Sequence, residues 1–179
     1  MNTKLAPADS RKNVESTLNV LALNSGSSSL KFGLYCVGSS RIEMQIAGEA
    51  ESIGDEKSNF HAQDSRQNAL LSETVSIPSQ REAIIRIERL LAESKMSAPA
   101  AIGHRIVHGG PNLRQHCLID DSVLLQLEAV TAFAPLHMPA ALAVMRFAEE
   151  HFPGFPQVAC FDTTFHAEMP EVRNWRWTL

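Results

Sequence analysis

The sequence predicts an α/β domain in which helices pack on a mixed β-sheet. An apolar run at residues 18–23 is followed by a small polar turn and an alternating stretch at 29–37, which is typical of a β-hairpin. A helical apolar stripe begins after residue 79. Strand-like runs at 101–107 and 158–161 then alternate with helical patterns, an order that favours a sheet with flanking helices.

The predicted hairpin contains the clearest strand signals. The run at 18–23 ends at an Asn-Ser-Gly turn, which suits a buried strand. In the second strand Lys31 lies on the face opposite three apolar residues, Leu30, Phe32 and Leu34. Residues 41–49 are compatible with a third strand. Residues 51–76 are polar and mixed, and they favour only a short strand around 59–63.

Three helices are predicted in the rest of the chain. Ser79 and Glu82 form a capping-box pattern before apolar residues at helical spacing, which predicts a helix over 79–95. Asp121 is expected to cap a helix that ends near residue 133. Pro139 suits the first turn of another helix, which should end before Pro153.

Composition limits the function classes. The 179 residues fit one domain, or one domain and the beginning of another. The formal charge of −4 gives no general attraction to nucleic acid or to anionic lipid, so we expect neither as a partner. Three widely spaced cysteines without a CxxC pair predict reduced, mostly buried thiols. No apolar run is long enough for a membrane span, and we expect a cytoplasmic protein with a polar extension over residues 1–17.

The serine-rich turn between the hairpin strands is the first candidate site. Residues 24–29, Asn-Ser-Gly-Ser-Ser-Ser, have small side chains that let backbone N–H groups approach an anion, and Lys31 adds a positive charge. The turn is not a Walker loop, because GxxxxGK[ST] is absent. An ordinary hairpin turn is the alternative.

Arg105, near the end of the predicted strand 101–107, is the second candidate. Its guanidinium could bind a carboxylate or a phosphate with two parallel hydrogen bonds, or it could form a structural ion pair. His104 and His108 are four residues apart and would share a strand face. With His116 they allow a zinc-site hypothesis, although no further ligand stands at a suitable spacing.

Two more candidates follow apolar segments. His137 lies between two prolines before a predicted helix, where a fixed backbone could direct the imidazole towards a phosphoryl group. A capping or packed histidine is equally compatible. Asp162 follows the predicted strand 158–161, a common position for catalytic or metal-binding carboxylates, although it could also begin a turn or cap a helix.

These stretches, taken in order, resemble the acetate kinase family, which includes acetate and propionate kinases. The matching segments are NSGSSSLKF, GHRIVHGG, APLHMPA and FDTTFHAEMP. The similarity runs from about Asn19 to the end and omits parts of 51–76. It implies the fold of sugar kinases, heat-shock protein 70 and actin, in which two RNase-H-like domains close over a nucleotide. Residues 18–152 would form the first domain, and 153–179 would begin a second, largely missing one.

The resemblance also implies a reaction, in which ATP and acetate give ADP and acetyl phosphate with Mg²⁺. Asn24 would help hold the metal. Ser27, Ser29 and Lys31 would contact ATP in the phosphate-facing hairpin.

The acid side of the site is likewise implied by the resemblance. Arg105 would bind the carboxylate or the acyl phosphate, and Val107 and Leu136 would line a small apolar pocket for the methyl group. His137 would steady the transferring phosphoryl group. Asp162 would be the catalytic carboxylate that positions acetate or the metal.

The length of the chain departs from the family pattern, whose members are more than twice as long. The adenosine site and several charge-stabilising groups of the family have no counterpart here, so we expect weak or no kinase activity from this chain alone. A non-catalytic module and a propionate kinase are the alternatives. A homodimer is compatible with the resemblance.

Overall fold

The computed structural model describes residues 16–94, 96–133 and 138–166. Five antiparallel strands come first, and helices alternate with short strands after them. The strands are β1 (Leu18–Ser25), β2 (Ser29–Val37), β3 (Ile42–Glu51), β4 (Ser58–Asp64), β5 (Ala69–Val75), β6 (Ala101–Ile106), β7 (Cys117–Leu118) and β8 (Gln157–Phe161). The helices are α1 (Gln80–Glu93), α2 (Asp121–Ala129) and α3 (Met138–His151), with single 3₁₀ turns at Val130–Phe133 and Asp162–His166.

The strands form one mixed sheet in the order β5-β4-β3-β2-β1-β6-β8-β7. The strands from β5 to β1 pair antiparallel, whereas β1, β6 and β8 pair parallel. The predicted α/β class with a mixed sheet is therefore confirmed. The parallel centre matters for function, because the carboxyl ends of β1, β6 and β8 meet at one edge.

The hairpin was predicted correctly, and its alternation sets the inner face of the sheet. Leu21 and Leu23 of β1 are buried together with the predicted apolar set of β2, Leu30, Phe32 and Leu34. The opposite face carries Asn24, which lies directly across from Lys31 in the antiparallel register. Side chains of such cross-strand partners lie on the same face.

The three helices contribute to the cores on the inner face. The Ser79 hydroxyl accepts a hydrogen bond from the Glu82 amide and caps α1, as the sequence predicts. Buried residues of α1 pack with β1 to β4, and buried residues of α2 and α3 pack with Ile106 and Phe161. This packing fixes the strands whose ends carry the candidate site.

Several predictions need correction. Residues 51–76 contain two strands, of which only part of β4 was predicted, because most of β5 is exposed at the sheet edge and has no apolar repeat. Asp120, and not Asp121, caps α2 by accepting from the Val123 amide at 2.8 Å. The two-residue strand β7 was also missed, since it is too short to show a period.

Other expectations have mixed outcomes. The cysteines are unpaired as predicted, but they are half-buried and not mostly buried. The strand β8, which follows the predicted domain boundary at residue 153, is hydrogen-bonded to β6. The division into domains stays a prediction, and nearly all of the predicted N-terminal extension lies outside the described residues. Within the described residues, no helix is long and apolar enough to cross a membrane.

Candidate active site

Asn24, Arg105 and Asp162 meet at the edge where β1, β6 and β8 end. Arg105 Nε donates to Asp162 Oδ1 at 3.0 Å, and Arg105 Nη2 donates to Asp162 Oδ2 at 2.6 Å. Arg105 Nη1 donates to Asn24 Oδ1 at 3.1 Å. The three residues are far apart in sequence, and the parallel order of their strands brings them together.

The charged pair in this cluster faces solvent. The Arg105 side chain is 52% exposed and the Asp162 side chain is 40% exposed. An ion pair this open contributes about 0–1 kcal/mol to stability, because water and salt screen it. The pair is therefore only a small source of stability.

Arg105 retains donors for a ligand. A guanidinium has about five N–H groups, and the bonds to Asp162 and Asn24 use three of them. Within the described part of the chain the remaining N–H groups have no acceptor. An incoming carboxylate or phosphate could accept from them while Asp162 keeps the fork oriented.

Lys31 lies next to this cluster on the same face, opposite Asn24 in register. Its ammonium is 3.5 Å from Glu49 Oε2, and the Lys31 side chain is far more exposed than that of Glu49. Sequence reasoning missed Glu49. Glu49 could have been found from the strand pairing, because it lies directly across from Lys31 in the β2–β3 register.

The serine-rich turn connects β1 to β2 beside Asn24. Ser27 and Ser28 are exposed, and Ser29 is half-buried at the start of β2. The Gly26 amide donates to the Ser29 carbonyl at 2.8 Å and closes the turn. A Cβ at Gly26 would lie 2.9 Å from Ser29 Oγ, a contact that rotation of the serine side chain can relieve.

The remaining predicted site residues are only partly placed. Val107 directly follows β6 and is 39% exposed beside Arg105. Leu136 and His137 lie outside the described residues, and their roles stay predictions.

The structure does not bring His104, His108 and His116 together as a zinc site. His104 is buried and donates from Nε2 to Gln157 Oε1 at 2.6 Å, while burial lowers its pKa to about 4. His108 lies beyond the end of β6, so it does not share a strand face with His104, and its Nδ1 accepts from the Gly110 amide. His116 Nδ1 accepts from the Phe161 amide at 3.1 Å.

His116 has a structural role next to Asp162, which the sequence did not indicate. Its bond to Phe161 fixes the backbone immediately before Asp162. The neighbouring hydroxyl of Thr164 lies 3.5 Å from the Arg114 carbonyl. The loop before β7 therefore supports the turn that presents the Asp162 carboxylate.

Asn24 and Asp162 carry oxygen atoms of the kind that can bind Mg²⁺, and these atoms accept hydrogen bonds from Arg105. Amide and carboxylate oxygens are ligands that Mg²⁺ accepts, and the ion usually takes one or two carboxylates together with water and phosphate. In the described residues no group of three or more His, Cys, Asp or Glu side chains could hold a metal ion.

A comparison with protein families shows which family the chain belongs to. A family model, described as the acetokinase family, matches residues 19–177. The chain belongs to the acetokinase family. The predicted family is thus confirmed, and the match covers all the described site residues.

Curated acetokinases show how much of a relative this chain represents. The acetate kinase of Campylobacter lari is 37% identical over 158 residues, which are 86% of this chain and 39% of the relative. The acetate kinase of Chromobacterium violaceum is 41% identical over 156 residues, or 86% of this chain and 38% of the relative. The chain therefore spans about 39% of the length of the curated relatives.

Solved structures confirm the predicted fold. A propionate kinase from Francisella tularensis superposes with a TM-score of 0.77 at 34% identity, covering 87% of this chain and 39% of the other. The acetate kinase of Porphyromonas gingivalis gives a TM-score of 0.77 at 30% identity, covering 87% of this chain and 40% of the other. The acetokinase chain thus has the sugar kinase, heat-shock protein 70 and actin type of fold over the part that it covers.

Proposed function

We propose that this chain supplies the acid-binding part of an active site that transfers a phosphoryl group between ATP and acetate, forming ADP and acetyl phosphate reversibly. The observation that carries the proposal is the Asn24–Arg105–Asp162 cluster at the carboxyl ends of three parallel strands. Ligands of open α/β sheets commonly bind at this edge.

Arg105 binds the carboxylate of acetate or the phosphate of acetyl phosphate through its free N–H groups. Asp162 holds the guanidinium plane with two hydrogen bonds, so the remaining donors have a fixed direction. Phosphoryl transfer depends mainly on positioning and charge neutralisation, and this cluster supplies both. Asp162 is the catalytic carboxylate that positions acetate or the metal.

The ATP side of the site lies on the adjacent hairpin. Ser27, Ser29 and Lys31 contact the phosphates of ATP, and the exposed ammonium of Lys31 supplies positive charge. Asn24 and Asp162 would hold Mg²⁺, which when bound neutralises phosphate charge. Adenosine contacts come from the part of the relatives that this chain does not span.

The acid is short. Val107 and Leu136 line the pocket for its alkyl group, and His137 steadies the transferring phosphoryl group. One extra methylene changes binding in an apolar pocket by about 1–3 kcal/mol, so acetate and propionate are close competitors. The similarity to a propionate kinase keeps propionate as an alternative acid. The proposal includes a cytoplasmic location and a homodimer.

Binding of acetyl phosphate to the purified 179-residue chain tests the acid-binding role without requiring turnover. Isothermal titration would compare the wild-type chain with Arg105→Gln, and with Arg41→Gln as a matched control. Arg41 is an exposed arginine paired with Glu43, and it lies in the connection between β2 and β3, at the opposite end of β2 from the serine-rich turn. We expect binding to the wild type and to the control, and a loss of at least about tenfold for Arg105→Gln. Equal binding by both variants would contradict the proposal.

Acetyl phosphate formation from acetate and MgATP provides the catalytic test. Weak or no activity is expected from this chain, and Asp162→Asn prepared in parallel controls for contaminating kinase. Activity that disappears in Asp162→Asn would show that the residues spanned here suffice for turnover.

A further inference from the structure

The carbonyl groups of the serine-rich turn point towards the protein. Gly26 O accepts from Gln80 Nε2 at 3.2 Å, and Ser28 O accepts from the Ile53 amide at 2.8 Å. Ser29 O accepts from the Gly26 amide and lies 3.5 Å from the same Gln80 nitrogen. Three carbonyls of the turn therefore accept hydrogen bonds from donors within the protein.

The amide of Ser27 points away from Gln80, because it shares a trans peptide plane with the Gly26 carbonyl. Ser27 and Ser28 are exposed, and within the described residues neither amide donates to another group. Successive free N–H groups on a small turn form a concave anion-binding surface. The direction of the Ser27 amide depends on the Gly26 carbonyl remaining turned inward, because rotation of a peptide plane exchanges its N–H and C=O directions.

Gln80 is the side chain that keeps two of these carbonyls inward. It is the first residue of α1, immediately after the capping Ser79, so its backbone is fixed. Its amide nitrogen faces the two carbonyl oxygens, and its Oε1 is buried without a hydrogen-bond partner in the described part of the chain. Within the described residues, the donor end of the Gln80 amide is therefore the end that forms hydrogen bonds, and its partners are carbonyls of the turn.

We propose that Gln80 is a positioning residue for phosphate binding, acting through the carbonyl of Gly26 to present the amide of Ser27, which shares its peptide plane, to a phosphate chain. This inference rests on the proposed function, since it assigns the turn to the phosphates of ATP. Gln80 itself does not contact the phosphate. It acts by fixing the turn, while Arg105 binds the acid at the neighbouring strand ends.

Tripolyphosphate tests this inference, because it carries a phosphate chain without adenosine. The wild-type chain, Gln80→Met and Gln80→Glu would be titrated with it while backbone amide shifts are followed by ¹H–¹⁵N NMR. Methionine keeps the length of the side chain without a donor, and glutamate keeps its shape but offers only acceptors at neutral pH. Gln126→Met is the matched control, since Gln126 is a half-buried glutamine on α2 whose side chain does not contact the serine-rich turn.

The expected result separates positioning from general stability. Tripolyphosphate should shift the Ser27 and Ser28 amides in the wild type and in Gln126→Met. Both Gln80 variants should bind it about five- to tenfold more weakly, as expected for the loss of about one oriented hydrogen bond, with smaller shifts at these amides. Acetyl phosphate affinity, which depends on Arg105, should be unchanged in the same samples.

Each contrary result has a distinct meaning. If the wild type and both Gln80 variants bind tripolyphosphate equally, the positioning role is wrong while the assignment of the turn to phosphate stands. If the wild type binds acetyl phosphate but its Ser27 and Ser28 amides do not respond to tripolyphosphate, the ATP side of the proposed function is wrong, and the role of Gln80 with it. If Gln80→Met does not fold, Gln80→Glu gives the same comparison, and wild-type affinity there overturns the inference.

Discussion

Arg105 and Asp162 are joined by two parallel hydrogen bonds, from Nε to Oδ1 at 3.0 Å and from Nη2 to Oδ2 at 2.6 Å. The pair connects the end of β6 to the turn after β8, and Asn24 at the end of β1 accepts from the third nitrogen of the guanidinium. Only a planar fork can satisfy this geometry. Substitutions can therefore test whether the shapes of these two side chains matter as well as their charges.

Arg105→Lys should weaken acetyl phosphate binding although it keeps the positive charge. A lysine ammonium is a point charge that cannot bond both Asp162 oxygens and Asn24 in one plane while also facing a ligand. We expect affinity to fall by about tenfold or more by isothermal titration. The free energy of unfolding, measured by thermal denaturation, should change by less than about 1 kcal/mol, because the ion pair is exposed. Affinity equal to wild type would show that charge alone matters.

Asp162→Asn should remove activity without unfolding the protein. The substitution keeps the shape of the side chain but replaces a carboxylate oxygen by a nitrogen that repels the guanidinium donors. In a version extended to the length of the relatives, acetyl phosphate formation should fall by about 100-fold or more. Asp64→Asn is the control, since this carboxylate lies at the end of β4 and bonds to the nearby Arg66 and Asn68. Wild-type activity in Asp162→Asn would exclude the proposed catalytic role.

Local sequence patterns predicted the hairpin and the helices because their signals lie within one element. Alternation in β2 and the Ser79 capping box each depend on a few neighbouring residues. By contrast, β5 is mostly exposed at the sheet edge, so its residues need not alternate between apolar and polar. The one-residue error at the cap of α2 arose because Asp120 and Asp121 are both suitable capping residues.

The candidate site could be predicted as separate residues but not as a geometry. Asn24 and Arg105 are 81 positions apart, and Arg105 and Asp162 are 57 positions apart. Their meeting depends on the order β1-β6-β8, which no local pattern specifies. The contact from Gln80 to the serine-rich turn was missed for the same reason, since 54 positions separate it from Gly26.

His104 should make stability depend on pH. Burial lowers its pKa to about 4, against 6.5 for an exposed histidine, so the unfolded chain binds the proton more readily than the folded chain. Stability from this group is therefore complete above about pH 6.5 and is lost as pH falls towards 4. Between pH 7.5 and pH 5 it should decrease by about 2 kcal/mol, measured by urea unfolding.

The glutamine variant isolates this effect. His104→Gln has no titrating group, so the part of the pH dependence that belongs to His104 should disappear in it. His61→Gln is the control, since His61 is exposed on β4 and its replacement should leave the wild-type profile unchanged. An identical loss of stability at pH 5 in His104→Gln would attribute the pH dependence to other groups.

Substitution of Gly110 and Gly154 by alanine can separate the effect of backbone strain from the effect of a steric clash, because both positions have strain but only Gly110 has a close neighbour. Both have positive φ, +71° and +78°, where an L side chain is strained by about 1 kcal/mol or more. A Cβ at Gly110 would lie 2.2 Å from Val130 Cγ1, whereas a Cβ at Gly154 would meet nothing within 4 Å. Gly154→Ala should therefore lower the free energy of unfolding only by the backbone strain. Gly110→Ala should lower it by about 1–3 kcal/mol more, as measured by urea unfolding.

The Gly110 substitution should also reach the acid-binding residues. The Gly110 amide donates to His108 Nδ1 in the turn that follows β6 and Val107. Displacement of this turn should weaken acetyl phosphate binding by several-fold, whereas Gly154→Ala should bind as the wild type does. Equal unfolding free energies for the two variants would mean that Val130 moves aside without cost. Unchanged binding in Gly110→Ala would mean that the turn after β6 does not determine the position of Arg105.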